Sequence, residues 1–231
     1  MPLHTKGGNI LTADIIFSGT SVTAANDNLC YKDLLKSLAD VCGKEVPVVV
    51  VDVKGMKKKD ISSEILKDVK SKRDIWVMTG IIDAGDMMDA FQGNINKLIV
   101  PYHFTSDSHL KEMIMLSDCC IPALFVDNGN VYPLGRKNDL RNALRTLERM
   151  NFEKTLVFDV SSEYSPGIWE RIHDHSDTVI PYAPSQDVAA EIRERGFNNI
   201  MISAVKLIGD TRKESRFQSS VFSSQDRRGF R

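Results

Sequence analysis

Short apolar runs alternate with longer stretches of helical spacing along nearly the whole chain. Ile10–Phe17, Val46–Val53, Ile75–Thr79, Lys97–Tyr102, Ile121–Val126, Thr155–Asp159, Thr178–Tyr182 and Asn199–Ala204 read as strands. Several are almost unbroken in apolar, β-branched residues, Val46–Val53 most of all. Strands buried on both faces carry that pattern, and parallel sheets are buried on both faces. Between the runs, apolar residues recur on single helical faces: Leu34, Leu35, Leu38 and Val41; Met87, Met88, Ala90 and Phe91; Leu140, Ala143, Leu144, Leu147 and Met150; Val188, Ala189 and Ile192. Ser62, Asp83, Ser106 or Asp107, Asp139 and Ser185 stand where N-caps belong. Gly196 stands where a helix-ending glycine belongs. Eight strands alternating with helices predict an α/β chain closed into a (β/α)8 barrel, with an open doubly wound sheet as the alternative.

The halves of the chain echo each other. Val49–Val53 (Val-Val-Val-Asp-Val) resembles Leu156–Val160 (Leu-Val-Phe-Asp-Val), and Asp74–Pro101 resembles Asp177–Ser203. The offset is roughly 100–110 residues, half a barrel, which is the mark of a duplicated half-barrel; chance likeness between βα units is the alternative. The barrel should span residues 1–210. Residues 211–231, TRKESRFQSSVFSSQDRRGFR, are polar, serine-rich and basic, without the apolar stripe of a last helix. They read either as a terminus or strap across the barrel base, or as an arm to a partner subunit in a homo-oligomer.

Composition narrows the classes. With 231 residues, 42% hydrophobic and 26% charged, the chain can bury one full core. Thirty basic and 31 acidic residues leave a net charge of −1, which gives no reason to expect nucleic acid or an anionic membrane as the main partner. No apolar run approaches the ~18–20 residues of a membrane span. The opening MPLHTKGG has no apolar core of a secretory signal, so a cytoplasmic location is expected. Cys30, Cys42, Cys119 and Cys120 form no C-x-x-C pair. They read as reduced buried thiols, with a redox or zinc role as the lesser alternative.

Barrel enzymes carry their chemistry at the carboxyl ends of the strands. Those ends supply Asp14, Asp52 with Lys54, Thr79-Gly80, His103 with Thr105, Asp127-Asn128, Asp159, Ser185 and Lys206. Carboxylates converging on one mouth drive their pKa values apart and so provide an acid and a base. Each aspartate alone has a plainer reading, as a cap on the helix that follows. His103, in Pro101-Tyr102-His103-Phe104, reads either as a catalytic acid/base or as a packed histidine beneath the mouth. His173 and His175 point about 200° apart on a helix and make no chelate, so no metal and no cofactor is expected.

These residues resemble the HisA/HisF histidine-biosynthesis barrels, which are duplicated half-barrels that bind long phosphorylated ribonucleotides. Ile10-Leu-Thr-Ala-Asp14-Ile is similar to that family's opening strand with its catalytic aspartate, and Val50-Val51-Asp52-Val53 to its second strand. Trp76-Val-Met-Thr-Gly80-Ile81-Ile-Asp83 resembles its strand and phosphate turn, and Asp187–Ile202 its seventh helix and eighth strand. The likeness runs to about residue 210 at low identity. The departures are as informative. Phe125 takes the place of the fifth-strand aspartate, with Asp127 two residues on. Tyr182-Ala183-Pro184-Ser185 and Ser203-Ala204 replace the later phosphate glycines. A phosphate cradle needs backbone amides at close approach, which Tyr and Pro obstruct.

The resemblance implies a phosphate grip kept only at Thr79, Gly80, Thr105 and Ser106, with Lys206 beside it. It implies an isomerase or lyase acting on a small phosphorylated or anionic metabolite, without a redox cofactor. The pathway would be biosynthetic, other than histidine's, with cofactor biosynthesis as one fit. Asp14 and Asp127 would be the acid/base pair, with Asp52, Asp159 and His103 in support. The rival expectation is a non-catalytic barrel serving as a binding or partner subunit. An enzyme should have an open polar mouth; a scaffold should have one filled by Phe125, Tyr182 and Tyr102.

Overall fold

A computed structural model describes residues 11–18, 21–24, 27–29, 40, 46–60, 74–92, 95–132, 139–161, 164 and 166–203, with backbone only before residue 40 and at 53, 54 and 57. Cys30, Cys42, Ser62, Lys206, the segment with Leu34 and Leu38, and the tail 211–231 lie outside the described residues.

The strands are β1 (Leu11–Ser18), β2 (Ser21–Ala24), β3 (Asp27–Leu29), β4 (Val48–Asp52), β5 (Ile75–Met78), β6 (Lys97–Pro101), β7 (Cys120–Asp127), β8 (Asn130–Val131), β9 (Thr155–Asp159), β10 (Val179–Ala183) and β11 (Ile200–Ser203). Helices α1 (Val53–Lys58), α2 (Ala84–Phe91), α3 (Asp107–Leu116), α4 (Leu140–Arg149), α5 (Gly167–Arg171) and α6 (Gln186–Glu194) follow β4, β5, β6, β8, β9 and β10. The fold is therefore mixed α/β around a curled parallel sheet. Parallel pairing runs β4-β5-β6-β7-β9-β10-β11. β1 pairs parallel with β4 on one side and β11 on the other. Each of the eight expected strands overlaps one of these. Two features went unexpected: the antiparallel hairpin β2–β3 on β1, and the two-residue β8 folded back on β7.

Alternation sorts the side chains into two cores, because successive residues of a strand go to opposite faces. Val49, Trp76, Met78, Ile99, Ile121, Ala123, Leu156, Phe158, Ile180 and Met201 fill the inside of the curl. Their neighbours Val48, Val50, Val77, Leu98, Leu124, Val126 and Val157 pack outward against the helices. The helices answer with Met87, Leu110, Leu144, Leu147 and Ile192, all buried. That double burial is why the strands are apolar at nearly every position.

The predicted caps form. Asp83, Ser106, Asp139 and Ser185 each accept backbone N–H bonds at the starts of α2, α3, α4 and α6. Ser106, not Asp107, is the cap of α3. Gly196 has φ +90° just past α6. Among the described residues no helix is long and apolar enough to cross a membrane. Phe197 then leads into β11 and packs edge-on against Trp169 of α5, centroids 5.9 Å apart, both fully buried. Phe197→Ala should lower the free energy of unfolding by about 3–5 kcal/mol, because the neighbouring layers close the cavity only in part. Urea denaturation checks this, and a loss below about 1 kcal/mol would contradict the packing described.

Candidate functional site

The carboxyl ends of the parallel strands were expected to bring four carboxylates together. Of the three whose side chains are described, Asp52 and Asp159 leave their strands on the outer face and Asp127 on the inner. Asp14 is the fourth residue of the eight-residue β1, level with Val49 and Ser203, so it does not end its strand as expected. Phe17 is the β1 residue level with Asp52. The Asp14 side chain lies outside the described residues.

Asp52 ends β4 but follows Val48 and Val50 in alternation, so it leaves the strand on the outer face. It is fully buried. Its Oδ1 accepts the Gly55 N–H at 2.8 Å, capping α1. Its Oδ2 accepts the Thr79 hydroxyl at 2.9 Å. The same Thr79 oxygen lies 3.2 Å from the Asp60 carbonyl. Gly80 packs beneath this turn: a Cβ there would stand 2.5 Å from the Gly55 carbonyl oxygen and 2.7 Å from Lys59 Cα. Glycine is thus required by backbone meeting backbone. Asp52, Thr79 and Gly80 form a buried clamp joining β4–α1 to β5.

The amides of the turn after Gly80 are similarly occupied. Ile81 N–H donates to the Thr79 carbonyl and Ile82 N–H to the Asp86 carboxylate. Gly85 and Asp86 N–H donate to Asp83. The Thr105 hydroxyl donates to the Ile82 carbonyl, and Ser106 accepts from His109 N–H. Of the four expected anion ligands, the hydroxyls of Thr79, Thr105 and Ser106 are thus bonded within the chain's own turns. At the other expected loss, Ser185 caps α6.

Asp159 ends β9 and is also directed outward, since its neighbour Phe158 faces in. Asp52 and Asp159 do occupy equivalent strand-end positions. Asp159 Oδ1 accepts the Ser161 N–H at 3.1 Å and the Ser161 hydroxyl at 2.5 Å. Asp127 ends β7 on the inward-facing side of its strand, two residues beyond Phe125. It accepts a bond from Asn128 Nδ2 at 2.8 Å. Of the four carboxylates, Asp127 alone among the described side chains stands on the inner face of its strand end.

Aromatic rings take the space the carboxylates leave. Register puts Phe125 of β7 beside Phe158 of β9, and the two rings stack 5.0 Å apart at an interplanar angle of 10°. Tyr182 of β10 continues the row at 5.2 Å from Phe158. His103, two residues past β6, meets Phe125 edge-on at 5.2 Å and Phe104 at 4.1 Å. Tyr102 takes no part in it: it is buried on the outer side, where its hydroxyl donates to Asp107. A cavity of about 330 Å³ opens beside the row, lined by Met56, His103, Phe104, Phe125, Tyr132 and Val160. That lies at the lower end of the volumes that hold small ligands.

His103 lines the cavity with its imidazole. Burial holds its imidazole below the usual 6.5, because desolvation disfavours the charged ring. Its Nδ1 is buried and has no partner among the described residues. No group of three or more His, Cys, Asp or Glu side chains able to hold a metal ion occurs among the described residues. His175 instead buries its ring with Nδ1 2.6 Å from Glu148 Oε1. Cys120 is a buried free thiol pushed up to about 12, first by burial and then by Cys119 beside it. Such a thiol is a poor nucleophile.

The sequence carried a signal for the turn that holds Asp127. Asn128-Gly129 between Val126 and Val131 is the commonest sequence for a two-residue hairpin turn. The aromatic row had no sequence signal, because Phe125, Phe158 and Tyr182 become neighbours only through register. No protein-family model matches the chain, and no curated protein matches it.

Two measurements follow. Asp52→Ala should cost about 3 kcal/mol of stability, since it deletes two bonds to a buried carboxylate, leaving the Gly55 N–H without its acceptor and Thr79 with only the longer contact to the Asp60 carbonyl. Asp52→Asn, which keeps an acceptor, should cost less; equal urea midpoints for all three proteins would refute the clamp. His103, with a lowered folded pKa, contributes stability that is present above its unfolded pKa of about 6.5 and is lost as pH falls from there toward the folded value. The stability difference between the wild-type chain and His103→Phe should therefore shift against the wild type between pH 7.5 and 5.5. A difference independent of pH would contradict the burial of the ring.

Proposed function

We propose that the chain is a single (β/α)8 barrel over residues 1–210, built from two related halves, whose mouth binds a small ligand with a flat, mostly apolar body. One observation carries this reading: the ring row His103–Phe125–Phe158–Tyr182 beside a cavity of about 330 Å³. Aromatic walls favour flat ligands, since offset stacking and edge contacts reward a planar partner. The His103 imidazole offers such a ligand one hydrogen bond. Among the described residues, no Lys or Arg lines the cavity. The Thr79, Thr105 and Ser106 hydroxyls are bonded within the chain, which favours an uncharged ligand over a phosphorylated one. The free thiols Cys119 and Cys120 fit a reducing, cytoplasmic setting.

The second reading is the acid/base enzyme that the HisA/HisF resemblance implies, an isomerase or lyase acting on a small metabolite. His103 favours it: a ring kept neutral at pH 7 is a competent proton acceptor, and Asp127 stands on the inner face two strand positions from Phe125. In that case Asp14, level with Val49 inside β1, and Asp127 are the pair the resemblance implies, with His103 in support. General acid and base groups of this kind contribute ~10²–10⁴ in rate.

Calorimetric titration with indole and with inorganic phosphate separates the readings. Indole should bind, and Phe125→Ala should weaken it by about tenfold, the equivalent of ~1.4 kcal/mol of ring contact. Phosphate bound in preference to indole would reverse the order of the two.

A further inference from the structure

We infer that Asp159 is a positioning residue for the mouth, acting through Ser161 on the turn that carries Asp127 and Tyr132. The inference rests on the reading that the cavity beside Phe125 is the functional site. Asp159 is partly buried at the end of β9 and faces away from the cavity. Its Oδ1 takes both the N–H and the hydroxyl of Ser161. Its Oδ2 is buried with no partner among the described residues. An orphaned buried carboxylate oxygen is costly, so stability alone does not account for an acid here. What an acid supplies is a strong acceptor for the single Ser161 hydroxyl proton.

That proton fixes the hydroxyl's direction. With its hydrogen committed to Asp159, Ser161 Oγ presents lone pairs outward and accepts the Asn128 N–H at 2.9 Å. Donation to the carboxylate strengthens that acceptance, since linked hydrogen bonds polarise one another. The bond bears on the turn itself: Asn128 sits at φ +51° and Gly129 at φ +82°, the left-handed pair that Asn-Gly adopts readily, and the Ser161 hydroxyl ties that turn to the exit of β9. Asn128 in turn holds Asp127 through its side-chain amide at 2.8 Å. Beyond the turn, Tyr132 N–H donates to the Phe125 carbonyl at 2.9 Å, which places Tyr132 in the cavity wall. The series Asp159, Ser161, Asn128, Asp127 therefore runs from the outer layer of the fold to its mouth.

The test compares the full wild-type chain with Ser161→Ala, Ser161→Thr and Asp159→Asn, using nuclear magnetic resonance. Ser161→Ala should speed exchange of the Asn128 backbone amide by about tenfold, as the turn loses its hold. It should also move the Asp127 side-chain carboxyl resonance and weaken indole binding severalfold. Asp159→Asn should do the same to a smaller extent, and Ser161→Thr, which keeps the hydroxyl, should restore all three. A purely structural role would lower the melting temperature and leave the Asp127 resonance and the indole affinity of the folded protein unchanged. An unmoved Asp127 resonance in Ser161→Ala overturns the inference whatever indole does. A wild-type chain that ignores indole while the resonance moves removes the cavity reading and leaves the positioning of Asp127 standing.

Discussion

In a parallel strand buried on both faces, successive side chains must enter different layers, and neighbouring strands in register put like-facing residues at one height. Most of what is distinctive here follows from that constraint. Phe125, Phe158 and Tyr182 share a face and a level, so their rings meet in a row. Asp52 and Asp159 sit one residue out of phase with that face, so they enter the helix layer. A shift of one residue in either strand would exchange them and make the mouth acidic.

Turned outward, the two aspartates have similar work. Each ends a strand and accepts donors from the residues that follow, Gly55 for Asp52 and Ser161 for Asp159. Each then reaches across to a neighbouring unit, Asp52 directly through Thr79 and Asp159 through Ser161 to Asn128. A carboxylate is suited to this because it accepts several bonds at once and each is stronger than a neutral one. The turns between strands and helices are therefore satisfied from within by Asp52, Asp83, Asp86, Ser106 and Ser185. Among the described residues, these caps take up the amides of Gly55, Ile82, Gly85, Asp86, His109 and Val188.

The mouth that results is aromatic, with one imidazole held neutral by its surroundings. On the proposed reading, a flat ligand would gain contact area against these rings, with the His103 imidazole to orient it. Asp127, on the same face further out, is the charge that such a ligand would pass. The residues that shape this mouth come from β7, β9 and β10, from the segments after β6, β8 and β9, and from α1, so no short sequence motif encodes it.

Eight apolar runs, their spacing and the capping residues were legible in the chain, because double burial and capping are local requirements written residue by residue. The α/β character, the parallel sheet and the starts of α2, α3, α4 and α6 follow from them. The equivalence of Asp52 and Asp159 was legible too, as a repeated Val-Asp-Val or Phe-Asp-Val at a strand end. Their direction was not, since it depends on which alternate residues face the shared interior, and strands apolar at every position leave that phase unmarked. Thr79 and Gly80 looked like an anion loop by composition; only the approach of the Gly55–Asp60 backbone made them a clamp. The segment Asn128-Gly129 announced a turn, while the partner that holds it, Ser161, lies on another strand's exit. Strand identity is a property of sequence neighbours, whereas the phase of each strand and the ring row at the mouth are properties of register between distant segments, which only the tertiary structure sets.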